Sequence, residues 1–202
     1  LDLLLDKRYS EKIRKKIRDC YPGLFRGEKK CIVYAPTFRK EEGGFEEEKL
    51  KRAAEQLADA VDYSRYELVV KFHPLSNIRL ENDSVIQDDK FSTIDFCRVA
   101  DVIVLDYSAV VFEAAMLKKP LYFYAFDYED YMMNRDVYID FKKYVPGAVV
   151  GDARSLMEQI ERGETDMKKL EQFRDLMISR PRSNSYTEDI ADFFEEILKE
   201  NK

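Results

Sequence analysis

The sequence predicts an α/β fold: a Rossmann-like doubly wound parallel sheet followed by a helical C-terminal tail. Three observations predict it. Short runs rich in apolar and β-branched residues recur along the chain, at Cys31 to Ala35 and in "YELVVKFHP", "DVIVLD" and "PLYFYAF". Stretches with apolar residues at helical spacing separate them. The runs are apolar throughout and do not alternate with polar residues, which is the pattern of strands covered by helices on both faces.

The elements follow in order. Residues 9–21 read as a helix with Tyr9, Ile13, Ile17 and Cys20 or Tyr21 on one face and Ser10 as its cap. Lys12, Arg14, Lys15, Lys16 and Arg18 cover the rest. Two readings fit this basic helix: a surface helix with a solvated face, or an amphipathic helix in weak association with the anionic inner face of a membrane. A first strand at 31–35 stops at Pro36, and a polar loop with Gly43 and Gly44 follows. Residues 46–61 form a helix with Leu50, Ala53, Ala54, Leu57 and Val61 on one face. A second strand ends in "VVKFHP", and "SVIQD" is a short third. Residues 92–99 form a helix capped by Ser92 or Thr93. "DVIVLD" is the fourth strand, Ser108 caps the next helix, and "PLYFYAF" is the fifth strand. Helices at 153–162, 166–178 and 186–200 make the tail. The expected organisation is an N-terminal basic helix and connecting segment at 1–28 and a nucleotide-donor-binding domain at 29–202.

Composition narrows the function. A chain of 202 residues, 45% hydrophobic, can bury one substantial core. Its net charge of −6 argues against bulk nucleic-acid binding, so no nucleic-acid partner is expected. No apolar run approaches the ~20 residues that span a bilayer, and no signal peptide is visible. Cys20, Cys31 and Cys97 are far apart and form no CxxC or Cys/His cluster. They read as buried or half-buried thiols of a reducing cytosol, with no zinc site and no metal or other cofactor expected. The chain opens on "LDLLLDKRYS" without a Met, as expected of a fragment of something longer.

In doubly wound sheets, ligands bind beyond the carboxyl ends of the strands. Thr37-Phe38-Arg39, His73 and Asp106-Tyr107-Ser108 each follow a strand directly, so they are expected on one rim. The chain has no GxGxxG or Walker motif, which sets aside the generic dinucleotide and P-loop readings. A helix starting at Ser108 offers free N–H groups and a hydroxyl to an anion. Glu113, five residues on, could accept from ribose hydroxyls, or be a solvated helix residue. His73, the chain's single histidine, either donates to a nearby carbonyl or balances phosphate charge. Arg39 can pair with phosphate through two hydrogen bonds or lie solvated in its loop. Arg180, Arg182 and Ser183 precede the last helix, as an anion site or as a plain linker.

The order of these motifs is more specific than any one of them. "YAPTFR", then "KFHP", then "ADVIVLDYSAVVFEAAMLKKPLYFYAFDYEDY", then a "PG" turn, resembles the CDP-glycerol glycerophosphotransferase family, the teichoic acid primases and polymerases. "LDLLLDK" looks like the segment after a "GxPR" turn at that family's domain junction. The resemblance implies the C-terminal, donor-binding half of a GT-B fold, acting with a polyol-phosphate or glycan acceptor through a missing N-terminal domain. It implies cytoplasmic localisation, peripheral at the plasma membrane. It carries contact with the diphosphate of CDP-glycerol over to His73, as the catalytic position. Substrate-binding roles pass to Thr37, Arg39, Lys71, Pro74, Asp106, Tyr107, Ser108, Ala109, Glu113 and Arg182.

Two departures are visible. The family shows "DYSS" followed by Asp five residues after the first Ser; here Ala109 and Glu113 stand in those places. "YMMNRDVYIDFKKYVPG" matches its counterpart loosely. The alternatives are a CDP-ribitol or nucleotide-sugar transferase domain, or an interaction module that kept the fold and lost the chemistry. An acidic protein that binds a diphosphate must gather its cations locally, so Lys71, His73, Arg39 and Arg182 are expected to converge. With a single histidine, the fragment has no second imidazole to act as general base.

Overall fold

The structure, a computed structural model, describes residues 1–27, 29–39, 45–134 and 140–200. The Gly43-Gly44 loop, and residues 135–139 of the loosely matched segment, lie outside the described residues. Among the described residues a parallel sheet of six strands forms the centre. The strands are β1 (Lys30–Ala35), β2 (Tyr66–Val70), β3 (Val85–Gln87), β4 (Val102–Leu105), β5 (Leu121–Tyr124) and β6 (Val149–Val150). Their order is β3-β2-β1-β4-β5-β6, with every pair parallel. The chain winds outward from β1 in one direction and then from β4 in the other. The topological switch point therefore lies between β1 and β4, where such sheets open a crevice.

The helices are α1 (Asp2–Leu5), α2 (Lys7–Cys20), α3 (Phe45–Ala60), α4 (Thr93–Val99), α5 (Val110–Met116), α6 (Tyr128–Asn134), α7 (Phe141–Tyr144), α8 (Ala153–Arg162), α9 (Met167–Met177) and α10 (Tyr186–Glu200). Each strand sends alternate residues to opposite faces. Cys31, Val33, Ile103, Leu105, Leu121 and Phe123 enter a core under α2, α4, α5 and α9. Ile32, Tyr34, Val102, Val104, Tyr122 and Tyr124 enter a second core under α3 and α8. Both faces are covered, which is why the strands carry no polar face.

Several local expectations change. Asp6, not Ser10, caps α2, accepting from the N–H groups of Arg8 at 2.7 Å and Tyr9 at 3.1 Å. Ser10 lies inside the helix and donates to the Asp6 carbonyl. The α2 stripe faces inward: Ile13 and Ile17 are buried in the first core, and Arg98 of α4 donates to the Leu3 and Leu4 carbonyls at the end of α1. The apolar stripe is thus covered by protein, and Lys12, Arg14, Lys15, Lys16 and Arg18 lie exposed on the outer side. Ser92 caps α4 in a reciprocal pair with Asp95. The α5 helix starts later than expected, with Ala109 at its cap position and Ser108 before it. Cys31 and Cys97 are buried, and burial pushes each thiol up to about 12. Cys20 is exposed.

Candidate functional site

The loops after β1, β2 and β4 meet at the switch point. There they enclose a cavity of about 230 Å³ whose lining includes Thr37, Phe38, Lys71, His73, Pro74, Thr93, Ser108 and Ala109. A larger cavity of about 570 Å³ adjoins it, sharing Lys71, His73, Pro74 and Thr93 and extending over the β3–α4 loop to Phe91. Six of the residues singled out in the sequence, separated by up to 72 positions in the chain, line the smaller cavity together. They are Thr37, Lys71, His73, Pro74, Ser108 and Ala109.

His73 is oriented by its own turn. Ser76 N–H donates to the His73 carbonyl at 2.8 Å, closing a β-turn with Pro74 at its second position. Proline presets the backbone angle that position needs. Leu75 N–H donates to Nδ1 at 3.1 Å, and the Phe38 ring lies 4.8 Å from the imidazole. With Nδ1 as acceptor, the neutral ring carries its proton on Nε2. Among the described residues Nε2–H has no acceptor, so this ring leaves a donor open beside the cavity that it lines.

Below this rim sits a buried ion cluster. Asp106 accepts from Thr37 N–H at 2.8 Å and from Thr37 Oγ1 at 2.5 Å. Arg39 Nη2 donates to Asp106 at 3.0 Å, and its Nε donates to Asp127 at 3.2 Å. The guanidinium lies 5.2 Å from the Tyr107 ring centre and 4.8 Å from that of Tyr131, two rings that stack on each other. Burial opposes the charge on Arg39, but the Asp106 and Asp127 carboxylates outweigh it and hold its pKa above the ordinary value. Burial pushes the Asp106 carboxyl up, and Arg39 with the Thr37 donors pulls it back. Burial, then Asp127, raises the Tyr107 phenol.

This alters the expected roles of four residues. Arg39 is 2% exposed, and its guanidinium is committed to two carboxylates and the Thr37 carbonyl, not open to a phosphate. Asp106 is fully buried and faces Thr37 and Arg39. Both donors of Thr37 go to Asp106. Lys71 reaches the cavity wall, but its ammonium donates to the carbonyls of Asp88 and Phe91. Burial lowers its pKa and Asp88 partly restores it.

The expected convergence of four cations is incomplete. His73 and Lys71 share the cavity, and Arg39 lies behind it in ion pairs. Arg182 lines a separate cavity with Arg180, Ser183 and Tyr186. It is held there because Asp189 accepts from the backbone N–H groups of Arg182 and Ser183, fixing that segment to the start of α10. Glu113, half-buried in α5, lines neither rim cavity. Ser108 keeps its place: its Oγ accepts weakly from Val110 N–H at 3.3 Å, and among the described residues its O–H has no acceptor.

Phe38 lines the rim with Thr37, where "PTFR" placed it. Sequence reasoning took Thr93 only as a helix cap and missed Asp127. Asp127 lies 88 residues from Arg39 and no local pattern joins them. Among the described residues no group of three or more His, Cys, Asp or Glu side chains is placed to hold a metal ion. Nor is any described helix long and apolar enough to cross a membrane.

Residues 1–189 match the family described as CDP-Glycerol:Poly(glycerophosphate) glycerophosphotransferase. The teichoic acid ribitol-phosphate primase of Bacillus spizizenii is 33% identical over 202 residues, covering 98% of this chain and 51% of that protein. The teichoic acid glycerol-phosphate primase of Bacillus subtilis is 33% identical over 162 residues, covering 78% of this chain and 41% of that protein. The chain thus spans about half, or less, of the curated relatives it matches. A variant of the wall teichoic acid polymerase TagF superposes with a TM-score of 0.72 at 22% identity, over 99% of this chain and 51% of that one. Another TagF crystal was soaked with CDPG. The spinosyn forosaminyltransferase SpnP shares the fold more distantly, with a TM-score of 0.52 at 14% identity over 88% of this chain and 46% of its own.

Proposed function

Because the chain belongs to the CDP-glycerol:poly(glycerophosphate) glycerophosphotransferase family, we propose that it is the donor-binding half of a polyol-phosphate transferase of teichoic acid synthesis. The donor is CDP-glycerol, with its diphosphate in the cavity at the switch point. The acceptor hydroxyl attacks the β-phosphorus. A new P–O bond forms to the acceptor, the bond to the bridging oxygen breaks, and its electron pair leaves with CMP. Nε2–H of His73 and the Ser108 hydroxyl donate to the diphosphate as negative charge gathers on the leaving phosphate. The larger adjoining cavity, with Phe91 in its wall, offers the cytidine a place next to that diphosphate.

The observation that carries this reading is the convergence of residues from three loops on the cavity between β1 and β4. His73 already uses Nδ1 as an acceptor, so it suits a phosphate contact and not proton abstraction. The base that deprotonates the acceptor is therefore sought outside these residues, and the chain alone is expected to show no transfer. A second reading, CDP-ribitol as donor, is favoured by the ribitol-phosphate primase that matches 98% of the chain.

Calorimetry with CDP-glycerol, CDP-ribitol and CMP tests the reading. The chain binds at least one CDP-polyol saturably, and His73→Ala weakens that ligand about tenfold while CMP changes much less. The absence of saturable binding by every cytidine nucleotide overturns the donor-site reading. Measured turnover by the chain alone overturns the assignment of the base elsewhere.

A further inference from the structure

Asp127 follows β5 and opens the segment leading into α6. It touches neither cavity, yet its carboxylate holds two of the three loops that meet there, those after β1 and β4. Oδ2 accepts from Arg39 Nε at 3.2 Å, and Oδ1 accepts from Arg39 Nη2 at 3.3 Å and from the Tyr107 hydroxyl at 3.1 Å. Arg39 lies two residues beyond Thr37 and also donates to the Thr37 carbonyl at 3.2 Å. Tyr107 immediately precedes Ser108. One carboxylate thus ties the loops after β1, β4 and β5 into a single unit.

A second feature shows that this unit does more than fill space. The Asp127 side chain is 5% exposed, and burying a carboxylate is expensive unless its partners are well placed. Apolar packing alone could close the loops. It would not fix the plane of a guanidinium, and the plane of Arg39 determines which oxygens of Asp106 and Thr37 it can reach. A change at Asp127 must therefore reach the rim through Arg39 on one side and Tyr107 on the other.

We propose that Asp127 is a positioning residue of the donor site, holding Arg39 and Tyr107 so that the loop carrying Thr37 keeps its shape and Ser108 faces the diphosphate of a CDP-activated polyol. This rests on the donor-site reading above. Two measurements on the 202-residue chain separate the two ideas. In Asp127→Asn, which keeps size and one oxygen acceptor but loses charge, hydrogen-exchange protection falls about tenfold at the Thr37 and Val110 amides and is unchanged at Leu68 and Leu156. In the same variant, CDP-polyol affinity falls about tenfold and CMP affinity much less. Tyr107→Phe, which cuts one arm, gives a smaller change of the same kind. Should Asp127→Asn fail to fold, Asp127→Glu, which keeps the charge and shifts the oxygens, takes its place with the same expected local loss.

A uniform loss of protection throughout the chain, with equal weakening of both ligands, overturns the proposal and leaves Asp127 as a stability residue. So does an unchanged Thr37 amide with unchanged CDP-polyol affinity. A native chain that binds no cytidine nucleotide overturns the donor-site reading itself. The exchange pattern then still reports whether Asp127 holds the loops.

Discussion

Tyr34 and Tyr124 lie side by side in the second core, rings 5.9 Å apart, and neither hydroxyl has a hydrogen-bond partner among the described residues. Burial raises both phenols, Tyr124 to about 12. A buried hydroxyl without a partner costs about 1–3 kcal/mol, while the ring it rides on stabilises the core. Tyr124→Phe is therefore expected to raise stability by about 1 kcal/mol, read as a higher urea midpoint with an unchanged slope. A lower midpoint would mean that the hydroxyl has a bound partner. The same uncertainty of partner limited what the sequence could say about single side chains. The place of His73 on the rim was legible because it directly follows β2, and its turn is closed by its immediate successors, Pro74, Leu75 and Ser76. Arg39 was not. A phosphate ligand and a buried counter-ion use the same guanidinium, and the carboxylates that decide between them stand 67 and 88 residues away. The partners of Lys71 and Thr37 were hidden for the same reason: the Asp88 and Phe91 carbonyls and the Asp106 carboxylate lie 17, 20 and 69 residues away.

Elements were read where their pattern runs long enough to have a period. β1, β2, β4 and β5 stand out as continuous apolar runs, because two covered faces remove the polar alternation that would mark an open sheet. α8, α9 and α10 fall within a residue of their expected spans. β6 has two residues and α7 four, too short for any period to register. What fixes β6 is a close approach. An added Cβ at Gly147 would come within 2.3 Å of the Leu121 carbonyl oxygen, so only a residue without a side chain lets the chain re-enter beside β5. Gly147→Ala must push backbone against backbone, which no rotamer change relieves. A loss of about 1–3 kcal/mol is expected, with early exchange of the Phe123 and Ala125 amides, which donate to the Ala148 and Val150 carbonyls. An unchanged melting curve would show that the turn shifts freely. The "PG" pair seen in the sequence thus has a packing cause, independent of any ligand.

Across the whole molecule, the two ends of the chain are held to each other by side chains that local patterns could not pair. Asp2 accepts from Tyr186 N–H and Thr187 N–H, each at 2.8 Å, and from the Thr187 hydroxyl, acting as a cap for α10 from the opposite terminus. Asp189 accepts from the Arg182 and Ser183 N–H groups on the approach to that helix. The Thr187 hydroxyl, with the two N–H donors, lowers the Asp2 carboxyl, and Ser183 with the Arg182 N–H lowers Asp189. A carboxyl lowered in the folded state stabilises it fully above its ordinary value of about 4, and that contribution fades as pH falls through the lower folded value. Both carboxylates serve α10, whereas the inner amides of β1 and β4, such as those of Val33 and Val104, lie in the strand ladder between apolar cores. Acid should therefore release α10 first. Between pH 6 and pH 3, exchange protection in α10 is expected to fall while the β1 and β4 amides keep theirs, and Asp2→Asn should produce part of that loss already at neutral pH. If α10 and the sheet lose protection together, the helix is held by its packing and not by these two carboxylates. The exposed side chains of Ile190, Phe193, Phe194 and Leu198 favour the first outcome, because α10 has little buried apolar surface to hold it once its caps are protonated.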